Sequence, residues 1–130
     1  MKLSEAEWQI MNALWKHHPA TAREIIEGIE AGGGWAYTTV KTMLTRLEDK
    51  GAVEETKRGN VSLYRPLVDE KQTRRSALTS VFDRVLDGAV EPLMHFLIEE
   101  KKLSKREREE LIRMLREADR KGGRNERVRE

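Results

Sequence analysis

Hydrophobic positions recur at helical spacing in three stretches before residue 50. They alternate with a period of two between residues 53 and 67, then return to helical spacing until about residue 118. The first stretch opens on Ser4-Glu5-Ala6-Glu7, in which Ser4 caps the first turn and Glu7 reaches back to it. The spacing predicts a helix to about Lys16 with Trp8, Met11, Leu14 and Trp15 inside and Ile10 at the flank. His17-His18-Pro19 ends it, because the residue before a proline avoids the α region. Thr21-Ala22-Arg23-Glu24 repeats the capping pattern and opens a short helix that turns Ile25, Ile26 and Ile29 inward. Gly32-Gly33-Gly34 stops that helix as a flexible turn.

The third helical stretch, Tyr37 to Leu47, is the one on which the rest is arranged. Val40, Met43, Leu44 and Leu47 share one stripe, and Gly51 supplies the stop. The opposite face carries Thr38, Lys41, Thr42, Thr45 and Arg46, with Thr39 at its edge. Threonine is a mediocre helix former, so a helix tuned only for solubility would carry Glu, Gln, Lys or Arg there. Short-armed hydroxyls beside two cations suit close approach to DNA: threonine reaches phosphates and the thymine methyl, and Lys or Arg reaches guanine edges or phosphates. The plainer alternative is a solvated helix face that happens to be rich in threonine.

Val53-Glu54-Glu55-Thr56-Lys57 and Val61-Ser62-Leu63-Tyr64-Arg65-Pro66-Leu67 flank Arg58-Gly59-Asn60, an alternation around a turn that predicts a β-hairpin. Short helix, turn, polar-faced helix and hairpin, in that order, make a winged helix-turn-helix over residues 1–68. The hairpin tip carries Lys57, Arg58 and Asn60, suited to backbone phosphates. The candidate DNA-binding set is therefore Tyr37, Thr38, Thr39, Lys41, Thr42, Thr45, Arg46, Arg58 and Asn60.

Three further helices are expected over residues 69–121. Asp69 caps the first, with Ala77, Leu78, Val81, Phe82, Val85 and Leu86 inside, and Gly88 breaks it. Pro92 fits the first turn of the second, which presents Val90, Leu93, Met94, Phe96, Leu97 and Ile98 on most of its sides. Ser104 and Glu107 cap the third, which carries Leu111, Ile112, Met114, Leu115 and Ala118. So small a set cannot bury these faces by itself, and a second copy of the chain is the economical cover. The expected dimer interface is Leu78, Val81, Phe82, Val85, Leu86, Leu93, Phe96, Leu97, Leu111 and Leu115. Residues 122–130 are read as a charged, disordered tail. The fold class is mainly α: three helices and a hairpin wing, then a three-helix dimerisation domain.

Composition narrows the chemistry. The chain has no cysteine, which excludes disulfides, thiolate catalysis and Cys-based metal sites. No apolar run approaches a membrane span and no signal-peptide core opens the chain, so the cytoplasm is the expected location. The net charge of +2 argues little for nucleic acid: residues 1–68 carry 9 Lys/Arg against 9 Asp/Glu, and residues 69–130 carry 16 against 14. A DNA-binding role must rest on where charge sits rather than on its sum. His17 and His18 point apart at a helix end with no third ligand nearby, and the glycine run lacks the lysine of a phosphate loop. No metal, cofactor or small-molecule substrate is expected, and no enzyme. The alternative to a DNA-binding repressor is a winged-helix adaptor for proteins, which would show large apolar anchors on its exposed helix rather than Thr, Lys and Arg.

With these motifs placed, the chain resembles the penicillinase-repressor family, the BlaI/MecI type. The matching residues are Leu3-Ser4-Glu5-Ala6-Glu7-Trp8, Thr21-Ala22-Arg23-Glu24-Ile25 and, most specifically, Trp35-Ala36-Tyr37-Thr38-Thr39-Val40-Lys41-Thr42-Met43-Leu44-Thr45-Arg46-Leu47, with Lys50-Gly51, Tyr64 and Gly88 continuing the pattern. The resemblance implies a homodimeric transcriptional repressor on a palindromic operator, with a part in regulating antibiotic resistance. It also implies release when a membrane-bound sensor metalloprotease cuts the C-terminal domain. The family's Asn-Phe cut aligns with His95-Phe96. Copper-responsive relatives carry C-terminal cysteines, which this chain lacks, so copper sensing by that route is excluded.

Overall fold

The computed structural model describes residues 1–29, 34–100 and 102–129. Gly32 and Gly33 of the expected glycine turn lie outside them. Six helices and a two-stranded sheet follow in the order α1 (Glu5–Lys16), α2 (Ala22–Gly28), α3 (Tyr37–Asp49), β1 (Val53–Arg58), β2 (Val61–Pro66), α4 (Glu70–Val85), α5 (Glu91–Glu99) and α6 (Lys105–Arg129). Two compact units result, Met1–Ser80 and Val81–Glu130.

The first unit is a winged helix. Both expected capping boxes form: Ser4 Oγ accepts from the Glu7 N–H at 3.2 Å, and Thr21 Oγ1 accepts from the Glu24 N–H at the same distance. The core is built from Ile10, Met11 and Leu14 of α1, Ile25 of α2, Val40, Leu44 and Leu47 of α3, and Val53 of β1, all at most 1% exposed. Ile10 therefore belongs to the core and not to its flank. Trp8 and Trp15 stay half-buried at its edge, 6.1 Å apart by ring centroid. The antiparallel pair runs from Val53 opposite Pro66 to Arg58 opposite Val61. The turn is thus only Gly59-Asn60, with Gly59 at φ 64°, a conformation that suits glycine, and Arg58 closes the strand pair instead of joining the turn. Ala20 exchanges two backbone hydrogen bonds with Tyr64, at 2.9 and 2.8 Å, an isolated antiparallel bridge that ties the chain after α1 to the wing.

An ion pair missed by reading the sequence ties this unit together. Glu7 is only 2% exposed, and its Oε1 accepts from Lys50 Nζ at 2.7 Å and from the Ser4 N–H at 2.8 Å. Lys50 also donates to the Lys2 carbonyl. The start of α1 is thereby fixed to the end of α3. At the other end of the unit, Trp15 Nε1 donates to the Val68 carbonyl at 3.0 Å, and Arg74 donates to Asn12 while lying over the Trp15 ring. These contacts hold the opening turns of α4 to α1, which is why the first unit extends past residue 68 to Ser80.

The second unit is helical and exposes its apolar side chains. Neither α4 nor α5 contains a buried residue. Leu78, Val81, Phe82, Val85 and Leu86 were expected inside, yet Leu78 is 68% and Val85 69% exposed, and Phe82 and Leu86 are half-covered. Among the described residues of one chain nothing buries these side chains. Pro92 sits in the first turn of α5, and Ser104 and Glu107 form the expected cap of α6. That helix continues through Gly122 to Arg129. The charged residues read from the sequence as a tail are mostly competent helix formers, and two glycines cost only about 1 kcal/mol each.

Candidate nucleic-acid interface

The stripe of Val40, Leu44 and Leu47 pins α3 to the core and turns its other face outward. Thr38, Thr39, Thr42, Thr45 and Arg46 are all exposed. No acid occurs from Tyr37 to Leu47 in a chain that is 37% charged, and Glu48 and Asp49 follow only in the last turn, so most of the face is rich in hydroxyls and its side-chain charges are cationic. The start of α3 differs from those of α1 and α2. Its N-cap is Ala36, with no side-chain cap and no acid in the first turn, so the first backbone N–H groups remain open at the positive end of the helix dipole.

Two threonines have their hydroxyl protons engaged. Thr42 Oγ1 donates to the Thr38 carbonyl at 2.9 Å, and Thr45 Oγ1 to the Lys41 carbonyl at 3.1 Å. What remains outward is a lone-pair acceptor and a methyl group. Arg46 has no ion pair or hydrogen bond among the described residues and is the free donor of the face.

Lys41 is placed differently from the expectation of a free reading cation. It is half-buried; its Nζ donates to the Tyr64 hydroxyl at 2.7 Å and lies 5.3 Å from the centre of that ring. The Tyr64 hydroxyl raises the Lys41 pKa, against the opposing effect of burial. Tyr64 in turn donates to Glu55 at 3.4 Å, whose pKa is lowered first by the Ser62 hydroxyl. Lys41 thus braces α3 against the wing through Tyr64.

Beside it lies a groove of about 390 Å³ between α2, α3 and the wing, lined by Thr21, Arg23, Tyr37, Lys41, Asn60, Ser62 and Tyr64, among others. It brings Tyr37, Lys41 and Asn60 of the predicted set to one place. Arg58 is exposed on the wing, and Thr38, Thr39, Thr42, Thr45 and Arg46 lie on α3 outside the groove lining. Sequence reading passed over Arg23 and Tyr64. Arg23 looked like part of a helix cap and Tyr64 like a strand residue, and only the packing of separate elements brings them to Tyr37 and Lys41. The histidines lie elsewhere: His17 is 3.7 Å from Glu24, His18 Nδ1 is 2.8 Å from the Leu14 carbonyl, and His95 is on α5 between Glu91 and Glu99.

Three helices, a hairpin wing and a third helix with an exposed face of threonines and Arg46 define a winged helix-turn-helix protein of the DNA-binding repressor class. The chain belongs to the penicillinase repressor family, whose model matches residues 3–117, and that family consists of repressors and not enzymes. The chain is 32% identical to the Methicillin resistance regulatory protein MecI of Staphylococcus aureus (strain N315) over 114 residues, 88% of this chain and 93% of that one. Against the Penicillinase repressor of Bacillus licheniformis the identity is 32% over 116 residues, 89% of this chain and 91% of that one. Among solved structures, the monomeric form of Bacillus licheniformis BlaI in complex with the blaP half-operator is 37% identical, covers 55% of this chain and 87% of that chain, and superposes with a TM-score of 0.46. Among the described residues no helix is long and apolar enough to cross a membrane.

Proposed function

We propose that this chain is a homodimeric cytoplasmic repressor that binds a palindromic double-stranded DNA operator through α3 and the wing. The observation that carries the reading is the outward face of α3, where Arg46 and four exposed threonines stand together over the stretch from Tyr37 to Leu47, which holds no acid. Arg46 offers a bidentate donor to a guanine edge. Thr42 and Thr45, with their protons turned back to the helix, offer acceptors to adenine or cytosine amino groups and methyls to thymine. Arg58 and Asn60 on the wing and the uncapped start of α3 face backbone phosphates.

The exposed apolar side chains of the second unit support dimerisation. Leu93, Phe96, Leu111 and Leu115 are between 37% and 55% exposed, and a second copy covering them would also bring two α3 helices to one DNA face. Binding at one half-site then raises the effective concentration of the other reader by about 10²–10⁴-fold.

The same arrangement supports release by proteolysis. His95–Phe96 lies within α5, and cutting there by a membrane-bound sensor metalloprotease would detach α6 from α4 and remove apolar area from the shared face. A protease needs an extended segment, so the cut requires α5 to open locally. Gly88 at φ 77° and Pro92 mark where its upstream end gives way. Footprinting on the DNA upstream of its own gene tests the proposal. Two protected half-sites separated by roughly 10 or 20 bp are expected; no protection, or a lone half-site, would overturn it.

A further inference from the structure

The groove between α2, α3 and the wing holds two cations, each lying over a tyrosine ring. Arg23 is 5.9 Å from the centre of Tyr37, and Lys41 is 5.3 Å from that of Tyr64. Lys41 is already bound to the Tyr64 hydroxyl, whereas the Arg23 guanidinium has no carboxylate or hydrogen-bond partner among the described residues. The nearby acids are occupied elsewhere: Glu24 accepts from the Thr21 N–H, and Glu55 from Tyr64. Tyr37 is 49% exposed and lies under the guanidinium in the lining of the groove, which Asn60 and Ser62 also line. A planar, permanently charged donor held against a ring has lost part of its rotamer freedom already, and its fork of N–H groups matches two oxygens of a phosphate.

We propose that Arg23, positioned by Tyr37, grips one backbone phosphodiester of bound DNA at the mouth of this groove, beyond the face that α3 presents to bases. This rests on the reading of α3 as a DNA-binding helix. It assigns a binding role to α2, which otherwise serves only to support α3. Because a phosphate contact carries no sequence information, it contributes equally on any duplex.

The test uses the full chain and a fluorescein-labelled random-sequence 30-bp duplex, with affinity measured by anisotropy between about 50 and 200 mM salt, a range in which phosphate contacts dominate. Arg23→Gln should lower the slope of log affinity against log salt by about 0.9, the value for one phosphate. Tyr37→Leu keeps the charge but frees the guanidinium; it should keep the slope and weaken binding about two- to fivefold, as loss of an exposed cation–π contact would. Both side chains are exposed, and circular dichroism verifies that the variants fold. A wild-type slope left unchanged by Arg23→Gln overturns the clamp alone. A wild-type chain that binds no duplex overturns the DNA reading itself. If Arg23→Gln leaves the duplex slope intact but abolishes binding of inorganic phosphate, the groove is a small-anion site and its assignment to DNA is wrong.

Discussion

Leu115→Ala measures whether a second copy covers the second unit. Leu115 lies on α6 with 55% of its surface exposed in the single chain. Truncation to alanine removes three carbons, about 2.4 kcal/mol at roughly 0.8 kcal/mol for each buried CH₂. A little over half of that surface is left for a partner to cover, so each protomer loses about 1.3 kcal/mol of association free energy. A two-fold interface contains every residue twice, which brings the loss to about 2.6 kcal/mol, or roughly a 50- to 100-fold weaker dimer. Sedimentation equilibrium across nanomolar to micromolar concentrations reads this directly, and helicity by circular dichroism should stay unchanged. A wild-type chain that is monomeric at micromolar concentration refutes the reasoning. So does a dimer that Leu115→Ala leaves equally tight, because Leu115 would then lie outside the interface.

Arg46→Ala should cost about 1–3 kcal/mol of operator affinity and relax base preference at one position if Arg46 reads a guanine edge; unchanged affinity in a fluorescence titration would falsify its role as a reader. Lys50→Met should destabilise the first unit by about 1–3 kcal/mol in urea unfolding, because it strips a donor from the buried Glu7 carboxylate; an unchanged midpoint would show the pair to be dispensable. Burial raises the Glu7 pKa, but the hydrogen bonds from Lys50 and Ser4 outweigh it and leave the folded value lowered. The unfolded state therefore binds the proton first, so the Glu7 contribution is complete above about pH 4.3, the ordinary glutamate value, and declines as pH falls through the folded pKa. The stability difference between wild type and Glu7→Gln should shrink over that acid range, and a difference that does not change with pH would contradict the sign. Mass spectrometry of the repressor during induction should find a new terminus at Phe96; operator release with the chain intact through residues 95 and 96 would exclude proteolysis as the switch.

The helices were legible because their signals are local. A Ser or Thr cap with a Glu three residues on marks the starts of α1, α2 and α6, and the 3.6-residue stripe of Val40, Leu44 and Leu47 assigns α3 both its buried face and its exposed one. The hairpin was legible for the same reason, since alternation around Gly59-Asn60 sets its register, although only the pairing shows that Arg58 closes the ladder. The tally of charges concealed the interface, because seven of the nine acids of residues 1–68 lie off α3 and the neutral sum over those residues does not reveal where its cations sit.

By itself the amino-acid sequence determined the helices and strands of the winged helix, the buried faces of α1 and α3, and the threonine-rich character of α3, because these depend on propensity and spacing within a few residues. Tertiary structure alone decided what the charged side chains do. Lys41 reads as a free cation until β2 brings Tyr64 within 2.7 Å of it. Glu7 reads as a solvent-facing cap residue until the end of α3 brings Lys50 to it and excludes water. Arg23 and Tyr37 meet only because α2 packs on α3. The fate of a long polar side chain is set by what lies within a few ångströms at its tip, and here those neighbours come from distant parts of the chain.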